Sequence, residues 1–214
     1  MRRRNRVKED LEKMSVKASL ESLRFAECIV FLMDTTVLSE YEFDQQDLVL
    51  ISRIIEEGRC CIIGLSKWDM VKDPKKFLSA VKKNLDLKGL GFIPLVPVSS
   101  FKKMGITKLF ETLERTLSFW NMRLSTSKLN AWLRESVENK APHPVKGRIV
   151  KMKFATQIKT RPPRIIVFVN VMDATLETYK RYLVNRLREM FGFEGVPIRI
   201  TFKCSDNPYV QEEK

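Results

Sequence analysis

The chain of 214 residues carries a formal net charge of +13, because 39 Lys and Arg residues outnumber 26 Asp and Glu residues. No apolar run approaches the roughly 18 residues of a membrane helix, and the basic start lacks the apolar stretch of a secretory signal. The four cysteines show no CxxC spacing, so the sequence offers no zinc ligand set. We therefore expect a cytoplasmic protein with reduced thiols, no membrane span, no metal site and a polyanionic partner, either RNA or an anionic membrane surface.

Apolar periodicity predicts alternating helices and strands over the first 121 residues. The predicted order is a helix over 8–24, a strand over 28–33, a helix over 44–57, a strand over 60–65, a helix over 74–84, a strand over 92–98 and a helix over 106–120. Prolines in the third strand indicate a position near a sheet edge. Strands that alternate with helices in this way predict an α/β fold with a parallel, doubly wound sheet.

The pattern changes after residue 121. Ser127 is expected to cap a helix that runs to about Asn139. Two strands over 148–157 and 164–170, a helix over 175–191 and a strand over 197–203 follow. This order predicts a small α+β domain. We therefore expect domains over residues 1–121 and 122–206, with a frayed tail over 207–214.

The segment Ser66-Lys67-Trp68-Asp69 follows the second strand directly. In open α/β sheets, ligands bind at the carboxyl ends of the strands. An aspartate there can accept hydrogen bonds from guanine N1–H and the exocyclic amine, whereas adenine has no donor at N1. A site built around such a bond discriminates by about 10⁴–10⁵ when the partner is missing. Lys67 can lay its aliphatic stem over the purine face.

A lone xKxD tetrapeptide is a weak signal, but its context strengthens it. The third strand ends at Val98-Ser99-Ser100, and Gly105 opens the next helix. A G domain places its second guanine loop at this point, where a backbone N–H meets guanine O6. We therefore predict binding of the guanine of GTP or GDP by Ser66, Lys67, Asp69, Ser99 and Ser100.

Longer stretches resemble the bacterial Der (EngA) family of GTPases, which carry two G domains in tandem. Residues 1–7 are similar to the basic stretch after that family's DTAG motif, residues 12–16 to its EKYSV segment, and residues 67–69 to the end of its NKWD motif. Similarity to the family's KH-like domain is carried by residues 154–157, 162–163, 168–170, 182–188, 191–195 and 197–199.

The resemblance implies an incomplete P-loop-type G domain followed by a KH-like domain of order αββαβ. It implies a GTP-binding protein required for ribosome biogenesis, with the large ribosomal subunit and its rRNA as partners. The N-terminal G domains of the same protein, absent from this sequence, are further expected partners.

The chain departs from the family at the phosphate site. It contains neither a GxxxxGK[ST] loop nor a DxxG motif, and by the resemblance Met1 lies just beyond DxxG. We expect Mg²⁺ only in the full-length protein, and neither a catalytic residue nor GTP hydrolysis in this chain alone.

The chain also departs from the family in the guanine loops. Ser66 replaces the family's asparagine, which predicts weaker guanine affinity. Ser100 replaces an alanine that acts through its backbone, so this change is expected to matter little.

Basic residues recur in the second domain. The candidates for RNA contact are Arg148, Lys151, Lys153, Arg181 and Arg188. The same charges are also compatible with a solvated surface of a basic protein that binds no RNA. The alternative function is a non-enzymatic RNA-binding module whose α/β half is a degenerate G-domain scaffold.

Overall fold

The computed structural model describes residues 25–38, 41–145, 147–173 and 175–204. The helix expected over 8–24, the segments 1–7 and 12–16 and the tail over 207–214 lie outside these residues. The chain divides into two compact units, Met1–Leu117 and Ser118–Lys214. The boundary expected after residue 121 stays a prediction.

The first unit alternates strands and helices as predicted. Its elements are β1 (Cys28–Asp34), α1 (Gln45–Glu56), β2 (Cys60–Ser66), α2 (Pro74–Leu87), β3 (Leu95–Pro97) and most of α3 (Ile106–Asn121), which continues past Leu117 into the second unit. A 3-10 turn lies at Trp68–Met70. The described strands form a parallel sheet in the order β1-β2-β3, which confirms the predicted α/β class. β3 is shorter than expected and lies at an edge of this sheet, as its prolines indicated.

Helices cover both faces of this sheet. Cys61, Ile63 and Leu65 of β2 belong to the core cluster that contains the buried residues of α1 and α2. Ile62, on the opposite face of β2, packs in a cluster that includes Leu109 of α3. Because β2 is buried on both faces, its sequence is a continuous apolar run. The carboxyl ends of the three strands meet at one edge of the sheet.

The second unit has the order αββαβ that the resemblance implies. Its elements are α4 (Thr126–Asn139), β4 (Met152–Lys159), β5 (Arg164–Val169), α5 (Leu176–Phe191) and β6 (Arg199–Cys204). The sheet order is β4-β5-β6; β4 and β5 are antiparallel, and β5 and β6 are parallel. No helix in the described part of the chain is both long enough and apolar enough to cross a membrane.

Two boundaries in the second unit differ from the prediction. Ser125, and not Ser127, caps α4, because Ser125 has the extended backbone of a cap and its Oγ accepts from Lys128 N–H over 3.3 Å. The first strand was expected from residue 148 but begins at Met152. Val145 and Arg148 instead exchange two backbone hydrogen bonds of 2.9 Å and close a turn there.

Candidate functional site

The candidate site lies where β1, β2 and β3 end. Asp34 closes β1 and pairs in register with Ser66, which closes β2. The chain after β3 lies beside them, because Trp68 N–H donates to Val98 O over 3.1 Å. The sheet therefore brings the two predicted guanine segments, 66–69 and 99–100, together at the edge where open α/β sheets bind ligands.

Lys67 adopts a left-handed backbone conformation, with φ 55° and ψ 34°. This conformation costs a non-glycine residue about 1–2 kcal/mol. Local contacts hold the strained turn: the Lys67 carbonyl accepts from Thr35 Oγ1 over 3.2 Å and from Met70 N–H over 3.0 Å. The Lys67 ammonium lies 2.6 Å from Asp34 Oδ2. The side chain is thus tethered beside the end of β1.

Asp34 is the anion that tethers Lys67. Its Oδ1 accepts from the N–H and the hydroxyl of Thr36, over 2.9 Å and 2.7 Å. The hydrogen bond from Lys67, followed by those from Thr36, stabilises the charged carboxylate and lowers the pKa of Asp34 to about 2. Sequence analysis ended the first strand at residue 33 and did not assign Asp34 to the site. The register of β1 against β2 is the signal that connects it to Lys67.

Trp68 anchors the loop in the core. Its side chain is 8% exposed, and its ring meets Phe77 edge-on with centroids 5.4 Å apart. The residues on either side, Lys67 and Asp69, are exposed. Burial of Trp68 therefore fixes the turn from which these two side chains project.

Asp69 and Ser99 connect the two loops. Ser99 Oγ donates to Asp69 Oδ1. Ser99 Oγ also accepts from Lys102 N–H over 3.1 Å. Ser99 is fully buried, whereas Asp69 is exposed. The buried hydroxyl therefore orients a carboxylate that remains open to solvent.

A close backbone approach shapes the second loop. Ser99 and Met104 exchange two backbone hydrogen bonds of 3.0 Å. Gly105 follows with φ +82°, and a Cβ at this position would lie 2.0 Å from Pro97 O. Only glycine fits such an approach. Gly105 therefore allows residues 99–104 to fold back against the end of β3.

The two loops present an acceptor and a donor together. Across the described ranges, Asp69 Oδ2 and the Ser100 amide N–H have no hydrogen-bond partner. Guanine carries donors at N1 and N2 and an acceptor at O6, so a carboxylate beside an amide N–H fits its edge. No group of three His, Cys, Asp or Glu side chains in the described part of the chain could hold a metal ion.

Ser66 connects β1 to β2 at this edge. Its half-buried hydroxyl donates to Met33 O over 2.9 Å. Its carbonyl accepts from the N–H and the hydroxyl of Thr35, over 3.2 Å and 2.8 Å. Sequence analysis did not name Thr35, whose role depends on contacts across the sheet. A direct contact between Ser66 and guanine stays a prediction.

The basic residues predicted to contact RNA lie in different settings. Arg148 and Lys151 are exposed ahead of β4, Lys153 is exposed within β4, and Arg181 is exposed on α5. The first two were expected on the strand itself, but β4 begins only at Met152. The structure therefore spreads these charges over a turn, a strand and a helix.

Other charges of α5 are partly neutralised. Arg186 bonds Glu135 over 2.5 Å and Glu189 over 2.8 Å, and Lys180 lies 3.0 Å from Glu177. These contacts reduce the net positive charge that the helix presents.

Arg188 has a structural role. Its half-buried guanidinium donates through Nη1 to Phe193 O and Val196 O, over 2.7 Å and 2.8 Å. Burial lowers the pKa of Arg188, but a guanidinium remains charged at neutral pH. Arg188 therefore holds the loop between α5 and β6 against the helix.

Comparisons with known proteins support the two-part organisation. Residues 123–203 match the model of the KH-domain-like domain of EngA bacterial GTPase enzymes, C-terminal. The whole chain is 41% identical to GTPase Der of Parvibaculum lavamentivorans over 216 residues, covering 45% of that protein. It is also 41% identical to GTPase Der of Brucella melitensis, covering 44% of it. The chain thus spans less than half the length of the curated relatives it matches.

Among solved structures, Era of Aquifex aeolicus bound to GDP·AlF4⁻ is similar with a TM-score of 0.40 and 15% identity, over 90% of this chain and 70% of Era. A match at that level carries no argument about this chain. The family assignment rests on the identity to the Der proteins over the full chain, together with the KH-like match. The chain belongs to the Der (EngA) family of GTPases and corresponds to the C-terminal part of these proteins.

Proposed function

We propose that the first unit recognises the guanine base of GTP or GDP, and that the second unit contacts RNA of the large ribosomal subunit in the cytoplasm. The observation that carries the guanine assignment is the contact between Ser99 and Asp69. It places an oriented, exposed carboxylate between two loops that both follow parallel strands.

The donors and acceptors of the site match guanine and not adenine. Asp69 accepts from guanine N1–H and the N2 amine, since each carboxylate oxygen has two lone pairs and Oδ1 can serve Ser99 as well. The Ser100 N–H donates to O6. The Lys67 stem covers one face of the base while its ammonium stays bound to Asp34. Adenine offers no donor at N1, so Asp69 gains no hydrogen bond from that position of the base.

Base recognition is the part of nucleotide chemistry that we assign to this chain. The sequence holds no GxxxxGK[ST] loop. In P-loop proteins that loop supplies the backbone N–H groups and the lysine that bind phosphates, and the hydroxyl that binds Mg²⁺. We assign phosphate binding, Mg²⁺ binding and hydrolysis to a full-length protein that includes N-terminal G domains.

The RNA assignment rests on charge and on the KH-like match. The chain carries a net charge of +13, and Arg148, Lys151, Lys153 and Arg181 are exposed on the second unit. Such residues neutralise phosphates, so affinity for RNA should fall as salt rises. We also propose a role in assembly of the large subunit for the full-length protein, which is what the resemblance to the Der family implies.

The guanine assignment is tested by NMR titration of the ¹⁵N-labelled chain with millimolar GMP and AMP. Weak binding is expected without phosphate contacts, which is why a method sensitive to low affinity is needed. GMP should shift the amide signals of Asp69 and Ser100, whereas AMP should not. Asp69→Ala should abolish the GMP shifts, and Asp73→Ala, at an exposed cap of α2, should leave them unchanged.

The alternative is an RNA-binding module with a degenerate G-domain scaffold. It predicts that GMP and AMP give the same result, with or without Asp69, while RNA still binds. Equal shifts with both nucleotides, or none with either, would therefore reject the guanine assignment. Absence of RNA binding in low salt would reject the assignment of the second unit.

A further inference from the structure

The sheet of the second unit has one face on which aromatic and basic residues meet. Strand register places Phe154, Phe168 and Lys203 in one row across β4, β5 and β6. The next row is Thr156, Ile166 and Thr201, in which Ile166 is buried and only the residues on either side of it are open to solvent. The intervening residues of the same strands, Ala155, Ile165, Val167, Ile200 and Phe202, are buried. Side chains alternate along a strand, so the rows lie on the face opposite this core.

Phe154 carries an exposed aromatic surface. It stacks on Phe168, with ring centroids 4.2 Å apart and planes 15° from parallel. Phe154 nevertheless keeps 42% of its surface exposed. In the described sheet β4 pairs only with β5, and Asn130 bonds the backbone of β4 at Ala155 on the outer edge, so Phe154 contacts Phe168 on one side and keeps its exposed surface on the other. A further flat ring can extend the stack at this edge.

The strands that carry this face are basic throughout. They hold two basic residues in β4, one in β5 and two in β6, and no acidic residue. Lys203 flanks Phe168 in the register, and Lys159, Arg164 and Arg199 form a further row on the same face. The cores of protein–protein interfaces are depleted of charged residues. Aromatic rings interleaved with lysines and arginines are instead typical of surfaces that bind single-stranded nucleic acid.

We propose that this sheet face binds single-stranded RNA by stacking an unpaired base on Phe154, while the basic residues of β4 and β6 neutralise the flanking phosphates. The proposal rests on the proposed function, because it specifies how the second unit contacts RNA. An unpaired base is required, since the bases of duplex RNA already stack on each other. Stacking does not depend on base identity, so little sequence preference is expected.

The test measures binding of a fluorescently labelled single-stranded RNA of about 12 nucleotides to the 214-residue chain by anisotropy. Phe154→Leu keeps apolar bulk but removes the aromatic face, and it should weaken binding about tenfold. Phe110→Leu, at another phenylalanine with 61% exposure, is the matched control and should have no effect. Lys203→Gln should reduce the slope of log affinity against log salt by about one, whereas Phe154→Leu should leave that slope unchanged.

A second measurement does not depend on the folding of a variant. RNA containing 4-thiouridine, irradiated with the wild-type chain, should cross-link within residues 152–168. Cross-links confined to other segments would overturn the proposal.

The outcomes separate this proposal from the proposed function. RNA binding that is equally tight in wild type and Phe154→Leu rejects the stacking site but still supports RNA contact by the second unit. Equal affinity for duplex and single-stranded RNA also overturns it. A Phe154→Leu variant that changes only self-association assigns the face to a protein partner and rejects the proposal. If the wild type binds no RNA in low salt, both the stacking site and the proposed RNA contact of the second unit are rejected.

Discussion

The ammonium of Lys67 lies 2.6 Å from Asp34 Oδ2, although Asp34 is the last residue of β1 and Lys67 follows β2. The parallel pairing of β1 with β2 brings them together, since Asp34 is in register with Ser66. The pair orients the long Lys67 side chain before any ligand arrives. A side chain that is ordered in advance loses less conformational entropy on binding.

Asp34→Asn should change the acid sensitivity of the first unit. The folded-state pKa of about 2 lies below the ordinary aspartate value near 3.9, so ionised Asp34 stabilises the fold above about pH 4. This stabilisation is lost as pH falls from about 4 to about 2. The free energy of unfolding, measured by urea titration across this range, should therefore fall less steeply in Asp34→Asn. A slope identical to that of wild type would show that the ion pair does not contribute.

Gly105→Ala should destabilise the first unit through its backbone. The positive φ alone costs about 1–2 kcal/mol for alanine, and the contact with Pro97 O adds to it. Gly89→Ala is a matched control, because Gly89 also has a positive φ, +72°, but no atom lies within 4 Å of the position that an alanine methyl would take there. Urea unfolding should show a loss of more than about 2 kcal/mol for Gly105→Ala and about 1 kcal/mol for Gly89→Ala. Equal losses would contradict the close approach.

Asn130→Ala should loosen the edge of β4. The Asn130 amide accepts from Ala155 N–H over 2.9 Å and donates to Ala155 O over 3.2 Å, in place of a neighbouring strand. Its loss leaves two backbone groups of a buried residue without these partners, at a cost of about 1–3 kcal/mol. Hydrogen exchange of the Ala155 amide should accelerate. Asn139→Ala, at the exposed end of the same helix, should leave that exchange rate unchanged.

The sequence predicted strands and helices well where apolar patterns were unambiguous. β2 is an uninterrupted apolar run that is buried on both faces, and the helix over 175–191 ends at Gly192, whose φ is +74°. Boundaries that depend on backbone conformation were missed. Ser125 and Ser127 are equally good caps by residue type, and only the extended backbone of Ser125 decides between them.

The candidate site was predictable in part. Asp69 and Ser99 both follow strands, so a parallel sheet implies that they lie near each other. The contacts of Asp34 and Thr35 depend on the register of β1 against β2, and periodicity does not contain that information. The stack of Phe154 on Phe168 likewise depends on antiparallel register.

The most direct test of guanine recognition is a reversal of base preference at Asp69. Asparagine in its place accepts from N1–H but presents a donor where the carboxylate accepted from the guanine N2 amine. Xanthine has N1–H and a carbonyl oxygen in place of that amine, so it complements asparagine. In NMR titrations, wild type should respond to GMP and not to xanthosine monophosphate, and Asp69→Asn should show the opposite preference. An unchanged preference in Asp69→Asn would contradict the assignment of Asp69 to the guanine base.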